Sequence, residues 1–146
     1  IAVLNQGVLE QMDSPEVIYH LPATRFVADF VGQADFVTGQ IRQGSVHTEL
    51  GEFPDTLNSP EGSTVVVMIR PDDIQLMPNK SAEPRVVARQ FRGSENLYTI
   101  QLPSGQIIHS SERSTCVYQE GTAVELRVSA THTVLFPAEP SSPRAC

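Results

Sequence analysis

Apolar positions change their period along this chain, and each change marks a new kind of element. Ile1, Val3 and Leu4 lead into Asn5-Gln6-Gly7, and Val8 and Leu9 follow. A glycine between two apolar runs predicts a hairpin, because glycine takes the positive φ that tight turns need. Ser14-Pro15-Glu16 then predicts a helix start: the serine oxygen can accept from an orphan N–H, proline fits the first helical position, and glutamate suits the positive end of the dipole. Pro22 disfavours helical geometry at Leu21, so this helix should stop near His20. Phe26, Val27, Phe30 and Val31 recur at helical spacing, which predicts a second helix from about Ala23 to Val31 with these four on its apolar face and Gly32 as C-cap.

From Asp35 onward the period is that of strands. Phe36, Val37, Gly39 and Ile41 suggest one, and the stretch from Val46 to Phe53 a single weaker one. Val65 to Ile69 is apolar and β-branched on both faces, the pattern of a central strand, stopped by Pro71. Asp72-Asp73-Ile74 reads as a turn, and Asn79 to Pro84 as a loop. Val86 to Phe91, Leu97 to Leu102, Ile107-Ile108, Val124 to Val128 and Val134 to Phe136 complete the strands, with turns at Gly93 and Ser104-Gly105. Short antiparallel strands at turn spacing predict a small barrel or sandwich. The fold class is therefore mainly β, a small antiparallel barrel or sandwich preceded by a β-hairpin and two short helices.

Composition narrows the class of partner. The formal net charge of −7 argues against a general binder of phosphate backbones. Arg85, Arg89 and Arg92 gather near Phe91, yet without tryptophan and with few aromatics they read as a solvated strand face rather than a single-strand groove. Cys116 and Cys146 are the two cysteines, far apart, which makes neither a disulfide framework nor a zinc set. A reducing cytosol fits that usage. His47, His109 and His132 share no metal-ligand spacing. No apolar run approaches the roughly 20 residues of a membrane helix, and no secretory signal pattern is visible. The chain opens on Ile1 within an apolar run, so a piece of a longer protein is expected.

Three separated stretches carry a family resemblance. Gly7, Gln11, Ser14, Pro15, Ile18 and Tyr19, then Pro22, Phe26, Val27, Ala28, Phe30 and Gly32, stand in the order G-x-x-x-Q-x-x-[ST]-P-x-x-[IV]-Y and P-x-x-x-F-V-A-x-F-[IV]-G. This resembles the end of the nucleotide-binding domain in ABC-importer ATPases of the iron(III), polyamine and maltose type. Arg70-Pro71-Asp72 resembles the Arg-Pro-Glu signature of the transport-associated OB (TOBE) domain, with aspartate replacing the usual glutamate. Gly93 with Leu97-Tyr98, the Ser104-Gly105 turn and Gly121 before Val124 form the third match.

The resemblance implies a division into 1–32, the end of the nucleotide-binding domain with its helical linker; 33–137, the OB-like regulatory domain; and 138–146, a flexible tail. It implies the C-terminal regulatory and dimerising part of an importer ATPase, iron(III) or polyamine type favoured. Such a subunit is a homodimer on the cytoplasmic face of the bacterial inner membrane, with permease subunits and a periplasmic binding protein as partners and no nucleic acid. ATP and magnesium belong to the parent domain. Here Lys80-Ser81 has no glycine loop before it, so no Walker A cradle exists, nor is there an Asp-Glu strand end or an LSGGQ-like run. No catalytic, cofactor-binding or metal residue is assigned, and the chain by itself is not expected to be an enzyme. Arg70 is expected to tie its turn down through a carboxylate. Small-ligand sensing, of an oxyanion or a metal, that regulates transport is the alternative, with Ser94, Ser110, Ser111 and Thr131 around an oxyanion, although turn serines usually only form turns.

Overall fold

The computed structural model describes residues 1–129 and 133–138. Strands β1 (Ala2–Asn5) and β2 (Val8–Met12) form the expected antiparallel hairpin. Gln6 and Gly7 both take positive φ at its turn, the two-residue geometry whose twist matches the flanking strands. Helix α1 (Pro15–His20) is capped by the Ser14 side chain, which accepts from the Val17 N–H. Helix α2 (Arg25–Val31) starts two residues later than the pattern predicts, because Thr24 caps it by accepting from the Val27 N–H.

The apolar face of α2 also differs from expectation. Val27 and Ala28 are buried, whereas Phe26 and Phe30 lie exposed and stacked, with centroids 5.7 Å apart. The physical reason is docking on two sides. Val27 closes on Val3 of the hairpin and Ile18 of α1, while Ala28 seats against Val66, Met68 and Phe136 of the barrel. A helix with small residues on both contact lines approaches closely and leaves its phenylalanines outside.

Strands β3 (Asp35–Arg42), β4 (Ser45–Thr48), β5 (Gly51–Pro54), β6 (Thr64–Ile69) and β12 (Val134–Pro137) form one sheet in the order β12-β6-β3-β4-β5. The single strand expected over Val46 to Phe53 is two. Thr48 donates to the Gly51 carbonyl and accepts from the Leu50 N–H, closing a tight turn that Gly51, at φ 123°, completes. β6 is central as expected, and the reason for its double apolar character is visible: Val65, Val67 and Ile69 face the barrel core, Val66 and Met68 face α2.

The other half comprises β7 (Ile74–Pro78), β8 (Arg85–Phe91), β9 (Glu95–Gln101), β10 (Ile107–Arg113) and β11 (Val124–Val128). β8, β9 and β10 form one sheet, β7 pairs with β11, and a bridge between Arg85 and Ala123 connects the two groups. Side chains close the remaining gap between β10 and β7. The Ser110 hydroxyl donates to the Ile74 carbonyl, and Glu112 accepts from the Leu76 N–H, each at 2.6 Å. The whole is a small OB-like β fold around a core that includes Ile41, Val67, Ile74, Tyr98, Ile100 and Ile108. Buried Tyr98 and Asn96 reach down to the Cys116 carbonyl and pin the loop after β10. Of the expected tail at 138–146, all but Ala138 lies outside the described residues.

Gly39 is required by close approach on β3. A Cβ there would lie 2.5 Å from Val46 Cγ1, 2.8 Å from Thr48 Cγ2 and 3.1 Å from the His47 carbonyl oxygen. Gly39→Ala is therefore expected to cost about 1–3 kcal/mol through overpacking. Urea denaturation checks this as a lower midpoint at unchanged slope; an unchanged midpoint contradicts it.

Candidate functional site

The motif residues converge at the joint between the helices and the barrel. β6 ends at Ile69, and Arg70 follows in extended geometry at φ −90°, ψ 150°. Pro71–Asp73 then form one 3-10 turn, in which Asp73 N–H donates to the Arg70 carbonyl and the Asp73 carboxylate accepts from the Arg70 N–H. With its backbone held at both sides, Arg70 sends its guanidinium back across the helices.

Arg70 is 3% exposed, and its guanidinium donates to four main-chain carbonyls. Nη1 reaches the oxygens of Ala28, Gly32 and Gln33, and Nη2 that of Tyr19, all at 3.0 Å. Three of these carbonyls belong to the end of α2, where orphan acceptors and the negative end of the helix dipole both favour a cation. Its carbon also lies 4.3 Å from the Tyr19 ring centroid, a cation–π placement strengthened by exclusion of water. The expected carboxylate tie is corrected here: the side chain of Arg70 bonds to carbonyl oxygens, and Asp73 engages only its backbone. Burial lowers the guanidinium pKa, while Tyr19, Asp72, Asp73 and Asp29 favour its charge. One atom, Nε, is buried without a hydrogen-bond partner among the described residues.

Gly32 is the C-cap of α2, as expected. Its φ of 172° is ordinary extended backbone. What excludes a side chain is space, because a Cβ would meet the Tyr19 ring at 3.1 Å and Arg70 Nη1 at 3.5 Å. Tyr19 is held in turn by a long 3.4 Å hydrogen bond from its hydroxyl to Asp72. Thus Tyr19, Gly32, Arg70, Pro71 and Asp72 come together, although they are far apart in sequence.

The remaining motif residues build the platform rather than the joint. Gln11 donates to the Leu21 carbonyl and accepts from the Ala23 N–H, bracketing Pro22, which has no N–H of its own. Gly7 and Gly93 occupy positive φ in the β1–β2 and β8–β9 turns. Ser14 and Pro15 start α1, and Phe26 and Phe30 face solvent. The serines expected around an oxyanion are dispersed: Ser94 lies in the β8–β9 turn, Ser110 is committed to Ile74, and Ser111 to Glu95. Thr131 and His132 lie outside the described residues.

Several contributors carry no short-range sequence signal. Glu10 accepts from both Asn5 and Thr24, fastening the hairpin to the start of α2. Asp35 accepts from the His109 N–H at 2.6 Å and pairs with its ring nitrogen at 2.9 Å, joining β3 to β10. An open cavity of about 290 Å³ beside the joint is lined by Tyr19, Gln33, Asp72, Arg92, Glu95 and Ser111 among others. Its two carboxylates oppose an anionic occupant.

Burial, and then the Asp72 charge, raise the Tyr19 pKa above its ordinary value of 10.0. A group with a raised folded-state pKa contributes stability that is complete below the unfolded pKa and is lost as pH rises through the folded one. Stability should therefore fall above about pH 10, and part of that fall should vanish in Tyr19→Phe. Alkaline urea melts of both proteins check this; identical pH profiles contradict it.

Comparison with known proteins extends the geometry. Residues 67–136 match the TOBE domain family. The spermidine/putrescine import ATP-binding protein PotA of Pseudomonas aeruginosa is 32% identical, covering 92% of this chain and 43% of the relative. The sulfate/thiosulfate import ATP-binding protein CysA of Xanthomonas campestris is 28% identical, covering 94% and 40%. The chain thus spans less than half the length of these relatives. Among solved structures, the cytoplasmic molybdate-binding protein ModG, with molybdate bound, shares the fold at a TM-score of 0.58 and 15% identity, over 70% of this chain and 95% of that one.

Proposed function

We propose that this chain, whose residues 67–136 match the TOBE domain family, serves as a non-catalytic regulatory part of an ABC-importer ATP-binding subunit. The observation that carries this reading is the Arg70 joint. One side chain at the end of β6 gathers carbonyls from α1, α2 and the two residues after α2, so the helices and the barrel respond as one body. A shift imposed on the hairpin is then passed to the barrel through bonds that cannot stretch far without breaking.

The hairpin has a surface for receiving such a shift. Ile1, Leu4, Val8, Leu9 and Met12 are exposed, which fits packing against a nucleotide-binding domain that holds ATP and magnesium. In this reading the subunit works as a homodimer on the cytoplasmic face of the membrane, beneath permease subunits fed by a periplasmic binding protein. Uptake of polyamines is favoured over iron(III), since relatives above 30% identity carry the polyamine name. A nucleic-acid role is disfavoured by the net charge of −7. Oxyanion sensing finds little support in a cavity bearing Asp72 and Glu95.

Proteoliposomes containing the complete importer test the proposal. They should accumulate labelled spermidine or putrescine with ATP. A subunit cut before Asp35 should still hydrolyse ATP but lose the dependence of hydrolysis on transport. Accumulation of sulfate alone moves the substrate to the other branch, and unchanged control in the truncated subunit refutes the regulatory role.

A further inference from the structure

The second half of β8 is an open sheet edge with an unusual charge. β8 pairs with β9 on one side, and on the other side its tether runs from the Arg85–Ala123 bridge to Val86, whose N–H donates to the Thr122 carbonyl and whose carbonyl accepts from the Gly121 N–H. A register shift between Val86 and Ala88 separates that tethered start from the rest. The Arg92 N–H donates to the Glu95 carbonyl at 2.8 Å. Alternation in an antiparallel ladder then makes Gln90 with Leu97 and Ala88 with Thr99 hydrogen-bonded pairs. The N–H and C=O groups of Arg89 and Phe91 consequently point outward, away from β9. Among the described residues no other main-chain group meets them.

The side chains of Arg89 and Phe91 are equally unused. Every residue from Val87 to Phe91 is exposed, and Phe91 is 68% exposed. In a chain of net charge −7, Arg85, Arg89 and Arg92 follow one another with no acidic residue between Glu83 and Glu95. Arg85 is occupied by the carbonyls of Ala82, Glu83 and Pro84, and Arg92 leans on Gln90. Arg89 has no hydrogen bond or ion pair among the described residues. It shares a face with Phe91, two positions along the strand.

We propose that this edge receives an extended acidic segment of a partner protein, added as a further strand beside β8. The outward main-chain groups of Arg89 and Phe91 supply the ladder bonds of strand addition. On their shared face the incoming segment places a carboxylate beside Arg89 and an apolar residue, two positions away, beside Phe91. Charge selects this occupant over a second copy of the chain, because self-pairing brings the same arginines against one another. The proposal goes beyond the importer reading and stands or falls separately from it.

The test is titration of the isotope-labelled chain with acetyl-Thr-Glu-Thr-Val-Thr-Glu-Thr-amide, followed by amide shifts and hydrogen exchange. The Arg89 and Phe91 amides should shift and exchange more slowly, and replacing Glu by Lys in the peptide should abolish the effect. Arg89→Glu should weaken binding about tenfold, a loss of about 1.4 kcal/mol. Arg89→Pro removes an N–H that makes no bond among the described residues, so it should keep the fold and lose the peptide. The proposal is overturned by silent Arg89 and Phe91 amides at millimolar peptide, or by equal binding of the lysine peptide. Protection that grows with protein concentration alone also overturns it, in favour of a second copy.

Discussion

A buried guanidinium must be surrounded by acceptors, and in this protein satisfying Arg70 determines how two parts of the chain meet. Removing such an ion from water costs several kcal/mol, recovered only by well-placed partners. The Ala28, Gly32 and Gln33 carbonyls are available because α2 ends there, and the Tyr19 carbonyl because α1 is finishing. Helix termination, normally a source of unsatisfied groups, here creates the site that holds the arginine. Lysine could not replace it, since a point charge lacks the planar fork that divides its donors between two helix ends.

Other features serve the same geometry. Gly32 leaves room for the Tyr19 ring and the guanidinium, and Gln11 fixes the bend at Pro22 so that α1 and α2 present their ends together. Ala28 allows α2 to sit directly on β6, whose outward Val66 and Met68 would otherwise face water. The barrel behind this joint closes partly through side chains, with Ser110 and Glu112 bonding the β7 main chain and Asp35 bonding β10. A barrel closed in that way is stiff only while those polar groups remain paired.

Much of this organisation is legible in the sequence where the cause is local. The Gly7 turn, the Ser14 cap, the stop before Pro22 and the two-faced strand Val65–Ile69 follow from neighbouring residues, and the structure has each of them. Legibility fails where a distant partner decides. Periodicity marks Phe26 and Phe30 as core, but contacts with Val3 and with β6 turn α2 onto Val27 and Ala28. Nearby aspartates make a carboxylate the obvious mate for Arg70, yet its acceptors lie about forty residues earlier, at separations of 37 to 51. The Thr48 turn that splits one expected strand into β4 and β5 needs a side-chain bond that no apolar pattern displays.

The central claim is that Arg70 makes the helices and the barrel a single cooperative body. Native-state hydrogen exchange on the wild-type chain and on Arg70→Met tests it most directly, comparing amides of α1 and α2 with those of β6. In the wild type the Ile18, Ala28 and Val67 amides should open with the same free energy. In the variant the helical amides should open at least about 2 kcal/mol more easily than Val67, the loss expected for removing charged hydrogen bonds. Helical and barrel amides that still open together in Arg70→Met would contradict the account.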